Sequence, residues 1–125
     1  MSRIFLADNQ HNERSALRLF LKDLQMQIVG EAEDWMTTLA QAPATAPAIL
    51  LVAWALLPRE PSLALQKLRL ACPTAMVVVL FSDADAREQA ALSSGADHFI
   101  SKWDRPAKVA EQLKIAAATV RPHSA

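Results

Sequence analysis

The chain has 125 residues, with 13 Lys and Arg against 13 Asp and Glu for a formal net charge of +0. It has a mass of 13.7 kDa and a sequence pI near 6.8. That is the length of one domain with a real core, and balanced charge argues against a stand-alone nucleic-acid binder, which carries a basic excess. Hydrophobic residues at 52% and charged residues at 21% exclude a disordered chain. The single cysteine, Cys72, excludes an intrachain disulfide and a Cys-rich zinc site, and it fits a reducing, cytoplasmic setting. No apolar run reaches the ~18 residues of a membrane helix. Asp8 interrupts the first apolar stretch, so the N-terminus does not read as a signal peptide.

Five short apolar runs alternate with helical patterns. Residues 3–8 form the first run, followed by Ala16, Leu17, Phe20, Leu21 and Leu24 at helical spacing, with charged residues on the opposite face. The second run is 26–31, and a short helix is predicted over 35–42. Residues 43–47 (Pro43, Ala44, Thr45, Ala46, Pro47) read as a loop. The third run, 48–53, is apolar on both faces and suits a central strand of a covered parallel sheet. A helix over 62–71 leads to the fourth run, 75–80, also apolar on both faces. A helix over 84–94 stops at Gly95. The fifth run is 97–101, and a last helix spans 106–120 with Pro106 in its first turn. Residues 1–120 are read as the domain and 121–125 as a tail or the start of a linker.

A βα alternation of this kind builds a parallel sheet with helices on both faces, and its functional residues lie after the carboxyl ends of the strands. Asp8 ends the first run. It reads equally as an acid or metal ligand above the sheet and as a turn residue capping the next helix. One carboxylate makes at best a weak Mg²⁺ site, because hard cations take several oxygens. Lys102 ends the fifth run and can reach an anion over the sheet, although a lone lysine is more often simply solvated. Ser82 and Ser101 have no histidine in a triad-like relation; His11 and His123 read as surface residues and His98 lies in a strand. With Gly30 and Gly95 the only glycines, a Gly-rich phosphate cradle is excluded. No enzyme is expected, because no nucleophile–base pair can be assembled from the strand ends.

Four segments in order resemble the response-regulator receiver domain of two-component signalling. They are Ile4-Phe5-Leu6-Ala7-Asp8-Asn9, Val29-Gly30-Glu31-Ala32, Pro47-Ala48-Ile49-Leu50-Leu51-Val52-Ala53-Trp54, and Gly95-Ala96-Asp97-His98-Phe99-Ile100-Ser101-Lys102. The resemblance covers nearly the whole chain and is closest to receivers that precede helix-turn-helix output domains. It implies an α/β, flavodoxin-like, doubly wound (βα)5 fold: a parallel five-stranded sheet of order 2-1-3-4-5. It also implies a pocket in which an aspartate is phosphorylated with Mg²⁺ help, and there the chain departs from the pattern. Asn9 stands at the second position of the family's acidic pair, and Ala53 at the phosphoacceptor. The family's Ser/Thr switch position falls on Leu80, or on Phe81 or Ser82 if the next helix is shortened. Asp8 and Lys102 match. An alanine methyl neither attacks a phosphoryl donor nor binds a metal, so Mg²⁺ binding is expected to be weak or absent and no cofactor is expected. Lys102 is left with at most Asp8 as a partner.

Trp54 and Trp103 flank this degenerate pocket. Each either covers it or presents an interface, or packs on loops and helices, which is the commoner role. Leu56-Leu57-Pro58 is apolar for a loop and suits a contact patch. The first functional reading is a pseudo-receiver that signals through a protein partner without accepting phosphate. Receivers commonly dimerise or contact outputs through the face of the fourth helix, fifth strand and fifth helix, where Asp97, Arg105 and Lys108 are candidate contacts. The second reading is the N-terminal receiver of a DNA-binding transcriptional regulator, with no direct nucleic-acid contact by this domain. The third is a small-ligand or metal switch that uses the vacated pocket through Asp8, Asp83, Asp85 and Lys102. No membrane partner is expected.

Overall fold

The structure, a computed structural model, describes residues 2–81, 95–102 and 104–118. The element order is β1 (Arg3–Ala7), α1 (His11–Asp23), β2 (Gln27–Ala32), α2 (Trp35–Thr45), β3 (Ile49–Ala53), a single 3-10 turn (Trp54–Leu56), α3 (Pro61–Ala71), β4 (Met76–Phe81), β5 (His98–Ser101) and a C-terminal helix (Pro106–Ala118). All five strands lie in one sheet of order β2-β1-β3-β4-β5, and every neighbouring pair is parallel. This is the doubly wound order that the resemblance implied. The predicted helix over 84–94 and the tail lie outside the described residues.

Period-two alternation along the central strands divides the core in two. Phe5, Leu50, Val52, Val77 and Val79 point to the side covered by Leu65 and Leu68 of α3 and by Ala42 of α2. Ile4, Leu6, Ile49, Leu51, Val78 and Leu80 point to the other, against Leu21 of α1 and Val109 and Leu113 of the C-terminal helix. β3 and β4 are buried at every position, as expected for strands covered on both faces. Each such side chain contributes about 1.5–3 kcal/mol of burial.

One local feature differs from the expected pattern. Residues 43–45 are not loop: α2 runs through Pro43 to Thr45. A proline in the last turn removes only one backbone donor. The end is closed by Ala46 in the left-handed region (φ 49°), while Thr45 Oγ1 donates to the Ala42 carbonyl at 2.8 Å. At the opposite end of α2, Asp34 accepts a 2.7 Å bond from the Thr37 backbone N–H, which holds its carboxyl below the usual range.

Gly30 on β2 faces the ring of Phe5; a Cβ there would lie 2.7 Å from Phe5 Cε2, so the strand needs glycine for close approach. Gly95, at φ +100°, makes the turn into β5. Its carbonyl accepts from Arg69 Nε at 2.7 Å.

Candidate functional site

β1, β3, β4 and β5 end side by side, with Ala53 paired to Leu80 and Phe81 to Ser101. Over these ends lies a cavity of about 170 Å³, lined by Gln10, Glu13, Ala53, Trp54, Ala55, Leu80, Phe81 and Lys102. Asp8 follows β1 and is fully buried beside it. One of its oxygens serves the local turn: Oδ1 accepts from the Gln10 backbone N–H at 2.9 Å. The other, Oδ2, lies 2.6 Å from Lys102 Nζ. That approach is off the line of a directed hydrogen bond, so the carboxylate holds its counter-ion by charge. The two sequence readings of Asp8, turn residue and acid above the sheet, therefore describe different oxygens of one side chain.

Lys102 is not a solvated surface lysine. Its side chain is 8% exposed, and its Nζ also donates to Glu13 Oε2 at 3.0 Å. Glu13 sits in the first turn of α1, where a negative charge is favoured by the helix dipole. Two carboxylates thus share one ammonium. Behind them, Arg14 Nη1 donates to the Asp8 carbonyl at 2.7 Å, and Arg14 and Arg18 both pair with Glu31 at 3.3 and 3.1 Å.

Sequence reading missed Glu13. Its only signal was an acid in the first turn of the helix that follows Asp8, while its partner lies 89 positions away.

Asn9 is exposed and does not line the cavity. Ala53 is buried at the end of β3, and its methyl forms part of the cavity wall. Both switch candidates within the described residues line the cavity. Leu80 turns to the α1 side of the core and Phe81 to the other; Ser82 lies outside the described residues. The Trp54 ring packs at 5.6 Å from Phe81, and Phe81 at 6.4 Å from Phe99, in tilted geometries that aromatic pairs favour. Trp54 thus both packs and lines the cavity; Trp103 lies outside the described residues. Leu56 is buried and Leu57 half-buried against the core.

Among the interface candidates, Asp97 is turned inward. Its Oδ2 accepts from the Val77 backbone N–H at 2.8 Å and its Oδ1 binds Arg69 Nη2, which fastens the start of β5 to β4 and α3. Arg105 is exposed. Lys108 is exposed and 3.6 Å from Asp104. Asp83 and Asp85 lie outside the described residues. Among the described residues, no three His, Cys, Asp or Glu side chains are grouped to hold a metal ion. No helix among them is long and apolar enough to cross a membrane.

No protein-family model and no curated protein sequence matches the chain. Solved structures do. The signal receiver domain of the putative response regulator NarL from Mycobacterium tuberculosis aligns with a TM-score of 0.79 at 21% identity, over 94% of this chain and 98% of that one. A LuxR-family two-component response regulator from Aurantimonas sp. SI85-9A1 gives a TM-score of 0.82 at 22% identity, over 99% and 90%. A CheY-like response regulator receiver domain from Methanospirillum hungatei JF-1 gives 0.79 at 19% identity, over 94% of each chain. Strand order, parallel register and these superpositions together identify the chain's fold as that of the response-regulator receiver domains.

Proposed function

We propose that the chain is a receiver-type signalling module that acts through a protein partner without aspartyl phosphorylation. One observation carries this reading: the residue ending β3 beside the cavity is Ala53, while the lysine across from it is already paired to Asp8 and Glu13. In receivers, the resemblance has that lysine answer the charge of a phosphorylated aspartate. Here an internal carboxylate, Glu13, supplies a second negative charge to Lys102. The alanine methyl offers no nucleophile.

The residues do not fit a Mg²⁺ site either. Both Asp8 oxygens are engaged, one by Gln10 N–H and one by Lys102, and Asn9 and Ala53 bring no charge where several oxygens are needed. The module therefore binds rather than catalyses, in a cytoplasmic setting and with no cofactor. Its partner is an output or signalling protein, or a second copy meeting the face that includes β5 and the C-terminal helix. Two matched structures are of LuxR-family regulators, from Aurantimonas sp. SI85-9A1 and from Staphylococcus aureus, the latter described as DNA-binding. They support a second form of the same reading, in which this domain precedes a DNA-binding output and does not itself touch DNA.

The test is incubation with Mg²⁺ and acetyl phosphate, followed by intact mass and tryptophan fluorescence. An unchanged mass and spectrum are expected. Stable addition of one phosphoryl group would overturn the proposal by showing that another side chain has taken over the acceptor role.

A further inference from the structure

Among the described residues that line the cavity over the strand ends, Lys102 is the one cation and Glu13 the one acid. The two are bonded to each other, with Lys102 Nζ donating to Glu13 Oε2 at 3.0 Å. Asp8, the other acid on Lys102, does not line the cavity, and its Oδ2 meets the ammonium by charge rather than by a directed hydrogen bond. The directed bond that Lys102 could offer to an occupant of the cavity is therefore taken by Glu13.

The two partners are held unequally. The Lys102 side chain is 8% exposed and that of Glu13 31%, so the lysine is fixed and the glutamate is the partner that can turn to water. Glu13 also lies in the first turn of α1, where the helix dipole favours a negative charge. With Glu13 in place the ion-paired network around Lys102 balances, with Lys102, Arg14 and Arg18 set against Asp8, Glu13 and Glu31. A small anion entering the cavity meets a neutral network and, at the wall, a carboxylate that repels it. Without the charge of Glu13, the same network has one uncompensated cation, at a site where burial weakens screening by water.

We propose that Glu13 is an autoinhibitory residue: its carboxylate occupies the anion position on Lys102 and closes the cavity at Ala53 to small oxyanions. The proposal rests on the reading of the chain as a module that works without phosphorylation, and it adds a second, separate bar. Ala53 removes the covalent acceptor; Glu13 removes the counter-charge that would hold an oxyanion there even without a covalent bond.

The test is titration of the ¹⁵N-labelled full chain and its variants with inorganic phosphate, against sodium chloride at matched ionic strength. The parent should show no saturable response beyond that of chloride. Glu13→Ala should bind phosphate reversibly and at least tenfold more tightly than the parent, with shifts centred on the amides of Gln10, Trp54, Ala55 and Lys102 and distant amides unmoved. Glu13→Gln, which keeps the bulk and loses the charge, should also bind more tightly than the parent. Adding Lys102→Met to Glu13→Ala should abolish the response. Parent binding as tight as that of Glu13→Ala, no saturable response from Glu13→Ala, or binding that survives Lys102→Met would overturn the proposal. These outcomes are distinct from failure of the underlying reading, which shows as a covalent gain in mass; reversible phosphate leaves the intact mass unchanged.

Discussion

Replacing Lys102 with methionine keeps the length of the side chain and removes its charge. Asp8 is fully buried and the Lys102 side chain is 8% exposed, so neither charge is screened as a surface pair would be. Removing one member of a buried pair costs about 3–5 kcal/mol, because the other charge is stranded. Two features place Lys102→Met near the lower limit. The Gln10 N–H still serves Asp8 Oδ1, and Glu13, with a side chain 31% exposed, turns to water when released. The expected loss is about 3 kcal/mol. With a urea m-value of about 2 kcal/mol/M, the unfolding midpoint should fall by about 1.5 M.

The decisive arm is the double variant Asp8→Asn/Lys102→Met. It removes both charges and keeps an oxygen for the Gln10 N–H, so it should recover to within about 1 kcal/mol of the parent. Urea unfolding of the parent, both single variants and the double variant, followed by tryptophan fluorescence, measures the cycle. A Lys102→Met variant within 1 kcal/mol of the parent, or a double variant no more stable than that single, would refute the argument that this is a desolvated, mutually dependent pair.

Gly30→Ala should destabilise by about 1–3 kcal/mol in the same assay, because the new methyl meets the Phe5 ring at 2.7 Å and the ring, fully buried, has no room to retreat. Glu13→Gln should change stability by less than about 1 kcal/mol, because Lys102 keeps Asp8 and the lost partner is partly solvated. Asp34 has its carboxyl held low by the Thr37 N–H; its stabilisation is therefore present above the unfolded carboxyl value and disappears as pH falls through the lower folded value. The stability difference between parent and Asp34→Ala, measured by thermal melts from pH 7 to pH 2, should shrink at the acidic end. Cys72 is 5% exposed and burial pushes its thiol up, so it should resist a thiol-reactive dye at pH 7.5 in the folded chain and react at once in denaturant.

Much of the fold is local pattern and was legible along the chain. The runs at 48–53 and 75–80 are apolar on both faces because both are covered, and with their shortness and the helical patterns between them that suits central strands. The strands, and the helices within the described residues, fall within a few residues of their expected bounds. The largest departure is α2, where Pro43 ends a helix in most contexts but costs a single donor in a last turn. That the pocket has Ala53 where the resemblance puts an acid, with Asp8 and Lys102 nearby, was also readable. Other features were not. Glu13 and Lys102 are 89 positions apart; no periodicity relates them, and only the meeting of the α1 start with the β5 end makes them partners. Asp97 reads as a surface contact because receivers commonly use the face around the fifth strand, yet it binds Arg69 and the Val77 N–H, a role set by where α3 packs. The cavity over the strand ends, lined by Gln10, Ala53, Phe81 and Lys102 among others, is likewise invisible in any one strand alone. Strands and helices follow from backbone geometry and the spacing of apolar side chains, which neighbours in sequence suffice to specify. Charge pairing and cavities depend on distances between atoms that the folded sheet brings together, and those distances exist only after the crossovers have closed.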